Sequence, residues 1–360
     1  MRQRPVVCHG SCDELPEPLL PLPLGEVLTG GEGPFPCCLW VLACVSWVLV
    51  VAWGAAGAAP ERDFALWLQE LRAEAAALGI RVQTLDTALT GLQPLARVIE
   101  LDRKQPEETL TYAQYLERVL PASRVQKGLR LMHEHRALLQ EIGAKYGVPP
   151  GVMVALWGIE TDFGRMTGNF PVLAALATLA YDGRRSALFR REFLAALKIV
   201  DAGHMRPEAM TGSWAGAMGQ NQFMPSSFLQ YAVDYNGDGR RDIWTTLADV
   251  FASTANYLAR SGWQERETWG HRVVLPASFE PPANSDQMSQ PRAAWQALGV
   301  RRADGGRLSD GPEPALLVLP GGATGPAFLV YQNYQVLLKW NRSTYFALTV
   351  GQFADQLAGR

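Results

Sequence analysis

Glu160 closes the apolar run Val152 to Ile159 and sits in WGIETDFGRMTGNF, residues 157–170. A carboxylic acid delivers a proton near neutral pH only if it is still protonated there, and apolar surroundings raise its pKa because the charged form is poorly solvated. Trp157, Phe163, Phe170, Met218, Phe223 and Met224 are on hand to form such walls, and no basic partner stands out beside the glutamate. Glu160 is therefore the candidate general acid. Asp162 lies two residues on, a spacing that does not share a helix face, so it is not the second member of a carboxylate pair. The competing reading of Glu160 is an ordinary surface-helix glutamate that caps or pairs.

Two further segments carry chemistry. GSWAGAMGQNQFMPSS, residues 212–227, is a loop of glycines, amides and hydroxyls. Ser213 and Gln222 offer hydrogen bonds there, and Gly212, Gly216 and Gly219 predict close approach of a ligand to the backbone. DYNGDGRRDIW begins at Asp234. With Asp234 as the first position, Asn236, Asp238, the Arg240 carbonyl and Asp242 fall where an EF-hand loop places its oxygen ligands, and Gly239 falls at the sharp turn. The twelfth position is Thr245 rather than a glutamate, so the match ends there, and Asp249 could close the site from a lengthened loop. The reading is a structural Ca²⁺ site, with Na⁺ as the weaker-binding alternative. Its competitor is a capping box in which Thr246 caps the next helix and Asp249 answers it.

These segments resemble the membrane-bound lytic murein transglycosylase B family, lysozyme-like enzymes that cut bacterial peptidoglycan. The likeness runs from about Phe64 to Leu357 and is strongest from Pro149 to Trp263. It implies an α+β, mostly α fold: a lysozyme-like helical catalytic core, an extra N-terminal helical part and a small antiparallel β subdomain. Ordinary glycosidases use two carboxylates, and the resemblance implies how one suffices. Glu160 protonates the leaving glycosidic oxygen, the N-acetyl group of the substrate steadies the oxocarbenium-like centre, and the muramic acid 6-hydroxyl attacks C1 to leave a 1,6-anhydro end. No cofactor takes part in that chemistry.

The resemblance also implies the lengthened loop that Asp249 closes, and places Ser213, Gln222 and Tyr257 in the cleft. It assigns Asn341 and Tyr345 of KWNRSTYF more weakly, with Trp340 standing where the family has a tyrosine. Arg184 and Arg185 match a double arginine, whose forks suit the carboxylates of a muramyl lactyl group or its peptide. Capping, core packing and a solvated helix face are the competing readings of these residues. A muramidase that admits water, and a non-catalytic Ca²⁺-braced wall-binding protein, are the alternatives for the whole chain. The expected partners are peptidoglycan glycan strands and wall-remodelling proteins.

The elements that must position these residues read as helices first. Phe64, Leu68, Leu71, Ala75 and Leu78 recur at helical spacing up to Gly79. Further helices are predicted from about Thr111 to Leu120, from about Ser123 to Tyr146, and from Pro150 through Glu160, with proline in the first turn. After Trp263 the runs VVLPASF, ALLVLPG and AFLVYQNYQVLLKW predict strands of a small sheet. Arg301 to Pro314 reads as a loop. A closing helix spans about Ser343 to Leu357. The chain divides by texture into a helical part (60–148), a catalytic core (149–263), a β-rich part (264–340) and a closing helix (341–360).

Composition narrows the class. Of 360 residues 48% are hydrophobic and 19% charged, with a formal charge of −2, enough for a sizeable core and unsuited to nucleic acid. All five cysteines precede residue 45, and the CHGSC cluster has no second pair at zinc-site spacing. His133 and His135 are two apart and do not make a metal helix. The uncharged stretch 37–59 ends in GAAGAAP and reads as a signal peptide, or as an uncleaved membrane anchor. Residues 1–36 are acidic and proline-rich, a poor start for a signal, and fit a start codon assigned too far upstream. Either way the protein is expected in the periplasm.

Overall fold

The computed structural model describes residues 63–104, 110–280, 288–308 and 314–359. The leader, the apolar segment 37–59 and the cysteines lie outside them. Among the described residues no helix is long and apolar enough to cross a membrane.

Six helices form the N-terminal part: α1 (Phe64–Ala77), α2 (Val82–Leu89), α3 (Ala96–Arg103), α4 (Tyr112–Val119), α5 (Ala122–Glu134) and α6 (Arg136–Tyr146). Asp63 caps α1 by accepting from the Ala65 N–H, and Trp67, Leu71 and Ala75 form its buried stripe. Thr111 and Gln114 make a reciprocal capping box that starts α4. The single helix expected from Ser123 to Tyr146 is two helices, broken at His135 (φ −100°, ψ 20°). The break redirects the chain: α5 packs on the helix carrying Glu160, and α6, with Leu139 and Ile142 buried, touches that helix too but packs mainly on a later one.

The helix carrying Glu160, α7 (Pro150–Thr161), is buried on nearly every side, as expected of a helix apolar all round. The closing helix α14 (Thr344–Leu357), capped by the Ser343 hydroxyl, packs along it. Their close approach depends on glycine: a Cβ at Gly158 would fall 2.8 Å from the Phe163 ring and 2.9 Å from Phe353. Behind this layer, α8 (Val172–Asp182) and α9 (Ser186–Asp201) build a second core with α1 to α3. The helices α10 (Pro225–Tyr231) and α11 (Leu247–Arg260) complete the central body.

A two-stranded ribbon, β1 (Phe170–Pro171) and β2 (Thr211–Gly212), pairs Phe170 with Gly212. It ties the end of the Glu160 segment to the start of the polar loop. The C-terminal sheet holds β3 (Gly270–Val274), β4 (Ser289–Gln290), β5 (Arg301–Arg302), β6 (Ala315–Val318) and β7 (Ala327–Val330), antiparallel in the order β4-β6-β7-β3-β5. The short helix α12 (Arg292–Ala297) covers it with Trp295. One expected strand is corrected: after Val330 the chain turns into α13 (Gln332–Trp340), which buries Asn333, Tyr334, Val336 and Leu337. A short apolar run does not by itself distinguish the helical period from the strand period. One core draws its residues from Tyr112 to Leu357, so the parts read from sequence texture share an interior.

Candidate active site

Glu160 lies one residue before the end of α7 and is 7% exposed. Beyond it the backbone does something unusual. Asp162 and Phe163 take positive φ values of 48° and 61°, and the third non-glycine residue to do so among those described is Gln222, at 51°. Such conformations are costly for residues with a Cβ and concentrate at functional sites. All three lie within the two segments 157–170 and 212–227.

The Glu160 carboxylate accepts one hydrogen bond, from the Trp340 indole N–H to Oε1 at 2.7 Å. Among the described residues no cation forms an ion pair with it. Burial pushes its pKa up to about 8, and the indole bond, which favours the charged form, opposes that rise only in part. Asp162, two residues on, meets the opposite fate. Burial alone would raise its pKa, but bonds from Arg165 and Lys127 and the charges of Lys127 and Arg124 outweigh that and hold it below the usual range. One helix end thus carries a carboxyl built to stay protonated and a carboxylate built to stay charged.

The polar loop folds tightly on itself. Met218 and Phe223 exchange backbone hydrogen bonds, and Ser213 N–H donates to the Ala217 carbonyl. The Ser213 Oγ accepts from Ala217 N–H, which leaves the hydroxyl proton to donate elsewhere. Gln222 donates its amide N–H groups to the Thr167 and Gly219 carbonyls, and its buried Oε1 has no partner. The loop glycines correct an expectation. A Cβ at Gly212, Gly216 or Gly219 would strike Ala217 O, Leu176 or Ile243 at 2.2, 2.3 and 2.7 Å, so these glycines admit protein rather than ligand.

The remaining candidates divide. The Tyr257 hydroxyl donates to the Lys339 carbonyl at 2.7 Å, and its ring lies 4.8 Å from that of Trp340. Asn341 accepts from Ser343 N–H, and the Tyr345 hydroxyl donates to the Pro320 carbonyl. Arg184 donates to Asp102 on α3 at 2.8 Å, and Arg185 donates to the same carboxylate. Asp102 is buried while the Arg184 side chain is half exposed. Tyr115 was missed in the sequence. Its hydroxyl is pushed well above the usual range by burial and then by the charge of Glu160, so it lies within electrostatic reach of that carboxyl. No local motif marks it.

The loop from Asp234 has the expected turn, with Gly239 at φ 88°. Asp234 accepts from the N–H groups of Gly237, Asp238 and Gly239, and Asn236 and Asp238 accept from Asp238 and Arg240 N–H. The early positions therefore close an EF-hand-like turn with their own side-chain oxygens. The later ones are bonded elsewhere. Asp242 accepts from Trp244, Thr245 and Thr246, and the fully buried Asp249 accepts from Tyr235 N–H on one oxygen and Asp242 N–H on the other. Among the described residues no three Asp, Glu, His or Cys side chains are gathered in one place, so a bound cation would also need the Asn236 amide and backbone carbonyl oxygens. Thr246 precedes α11 without the side-chain cap that the competing capping-box reading requires, and Asp249 bonds the two ends of the loop instead.

This fold is that of a lysozyme-like enzyme, and it buries Glu160 without a cationic partner among the described residues. The family model for the transglycosylase SLT domain matches residues 63–355, and the chain belongs to that family, the lytic transglycosylases of peptidoglycan. It is 29% identical to membrane-bound lytic murein transglycosylase B of Escherichia coli (strain K12) over 290 residues, 78% of this chain and 79% of that protein. The crystal structure of SltB3 from Pseudomonas aeruginosa in complex with NAG-anhNAM-pentapeptide superposes with a TM-score of 0.80 at 45% identity, covering 83% of this chain and 80% of that one. The Escherichia coli lytic transglycosylase Slt35 in complex with calcium superposes with a TM-score of 0.70 at 29% identity, covering 81% and 92%.

Proposed function

We propose that Glu160 is the sole acid/base of this transglycosylase, acting on the β-1,4 bond between N-acetylmuramic acid and N-acetylglucosamine. The observation that carries the reading is a buried glutamate without a cationic partner, pushed up to about 8. At neutral pH it holds its proton. It gives that proton to the glycosidic oxygen as the C1–O bond breaks, and the N-acetyl group of the substrate shields C1. The carboxylate then takes the proton of the muramic acid 6-hydroxyl, whose oxygen bonds C1. Glu160 regains its proton, no water is consumed, and the product ends in 1,6-anhydromuramic acid.

In this reading the Ser213 hydroxyl and the unpartnered Gln222 Oε1 bond N-acetyl and hydroxyl groups, and the exposed half of Arg184 meets a lactyl or peptide carboxylate. Tyr257, Asn341, Tyr345 and Arg185 shape the cleft through their bonds to protein. Asp234, Asn236, Asp238 and the Arg240 carbonyl hold a Ca²⁺, with Asp242 and Asp249 closing the loop behind it; the calcium complex of Slt35 supports this. The enzyme works in the periplasm, exported or anchored through segment 37–59, alongside other wall-remodelling proteins.

The test is digestion of purified sacculi by the protein and by Glu160→Gln, with muropeptides weighed by mass spectrometry. Products one water lighter than hydrolysed ones, absent with the variant, are expected. Reducing ends would make the enzyme a muramidase. Binding without products from folded protein would leave it a wall-binding protein.

A further inference from the structure

We propose that Trp340 is a positioning residue for Glu160: its indole N–H, fixed on Oε1, keeps the proton of the acid on Oε2 and steadies the carboxylate left when that proton departs. The proposal rests on the reading of Glu160 as the acid.

The argument begins with donor chemistry. An indole N–H donates and never accepts. With the Trp340 N–H on Oε1 at 2.7 Å, an acid proton on that same oxygen would compete for the space and the lone pairs the indole uses. The proton therefore resides on Oε2, and only one oxygen of the carboxyl is the acid. A tyrosine or serine hydroxyl at this place could turn to accept the proton instead.

The indole is held to this task from several sides. Its ring lies 5.3 Å from that of Phe223, in the polar loop, and 4.8 Å from that of Tyr257, on α11. The Tyr257 hydroxyl pins the Lys339 carbonyl immediately before it, and Lys339 Nζ donates to the Ser261 carbonyl. The group is preorganised, so little reorganisation accompanies proton transfer. A hydrogen bond to an ionised acceptor is stronger than one to a neutral acceptor. The N–H···Oε1 bond therefore strengthens as charge develops on Glu160, and an interaction stronger in the transition state than in the ground state raises kcat.

The other titratable groups near Glu160 do not duplicate this role. Tyr115 on α4 couples to it through charge and is itself pushed toward neutrality. Tyr257 faces the indole. Asp162 is held as a charged carboxylate, ion-paired with Arg124, Lys127 and Arg165. The Trp340 bond is the one that favours ionised Glu160, so its loss moves the acid to still higher pKa.

The decisive experiment compares the pH profile of wall solubilisation for the protein, Trp340→Phe and Glu160→Gln. Trp340→Phe keeps an aromatic ring without the N–H. It is expected to lower kcat about tenfold with KM little changed, and to move the alkaline limb up by about one pH unit, the scale of one hydrogen bond to a charged group. Unchanged kcat and an unmoved limb would overturn the proposal, as would a loss of activity that tracks only the folded fraction. A second measurement works on protein without that substitution. Among the indole ¹⁵N–¹H resonances one is expected to titrate with a midpoint near the Glu160 value of about 8, and in Glu160→Gln none. No such titration would also overturn it. Activity retained by Glu160→Gln would instead overturn the acid reading itself, which separates the two failures.

Discussion

The Trp157 indole N–H donates to Gln220 Oε1 at 2.7 Å, a buried bond between α7 and the polar loop. Gln220 is used completely: its Nε2 donates to the Trp244 carbonyl, its carbonyl accepts from the Thr161 hydroxyl, and its N–H donates to the Ile243 carbonyl. One side chain therefore joins the helix that carries Glu160, the loop that carries Ser213 and Gln222, and the end of the segment that begins at Asp234.

Trp157→Phe should expose the value of that clamp. The ring still fills its place among Phe163 and Phe251, but Gln220 Oε1 is left buried without its donor, which costs about 1–3 kcal/mol. A lower midpoint in thermal denaturation is expected, with a fall in turnover at temperatures where the protein remains folded. A variant as stable and as active as the parent would show that the loop holds its place without the clamp.

Glu160→Gln is expected to abolish turnover and to change how stability depends on pH. The folded pKa, about 8, lies above the usual 4.5, so between those values the folded state binds more protons than the unfolded state. By linkage, stability falls as pH rises through that window and is flat above it. The glutamine variant has no such group. Denaturant titrations from pH 4 to 9 should show the variant gaining on the parent as pH rises, by up to a few kcal/mol. Parallel stability curves would mean that Glu160 is not held protonated.

The burial of Glu160, the tight polar loop and the EF-hand-like turn were legible in the sequence because each depends on near neighbours in the chain. Burial of Glu160 follows from the apolar run before it, and α7 has its first turn written in Pro150. What was not legible depends on long-range pairing. Trp340 reads as a departure from a family pattern, and only the packing of α13 against the loop brings its N–H to an oxygen 180 positions earlier in the chain. Arg184 and Arg185 read as free forks because their partner, Asp102, lies on a helix that the sequence did not mark as close. The break at His135 was hidden because α5 and α6 each keep helical spacing and only their neighbours differ.

Calcium should act on the fold rather than on the chemistry. A ligand that binds only the folded state stabilises it by RT ln(1 + [L]/Kd), about 2.7 kcal/mol at one hundred times Kd. Millimolar Ca²⁺ is expected to raise the thermal midpoint of the protein, with Na⁺ less effective, and Asp234→Asn to remove the response while leaving the muropeptide products unchanged. Asp249→Asn makes a different point. Asp249 bonds the N–H groups of Tyr235 and Asp242 from a fully buried position, so its loss should destabilise the protein even in chelator. Equal midpoints with and without Ca²⁺ would remove the ion from the account.

Asp102 should prove to be the fastening point of the double arginine. Asp102 is 2% exposed and its carboxylate takes bonds from both Arg184 and Arg185, joining α3 to the start of α9. Breaking a buried pair by removing one partner costs about 3–5 kcal/mol, and the half-exposed Arg184 loses part of that to solvent screening. Asp102→Ala is therefore expected to cost roughly 2 kcal/mol, and Arg185→Ala a similar amount. Arg184→Ala is expected to change stability little, because its side chain is 51% exposed, yet to raise KM for peptide-bearing glycan while kcat holds. Uniform binding energy lost from the ground and transition states alike gives that signature. If Arg184→Ala instead lowers stability as much as Arg185→Ala and leaves KM unmoved, both arginines serve only to hold α3 and α9 together, and the muramyl carboxylate is recognised elsewhere in the cleft.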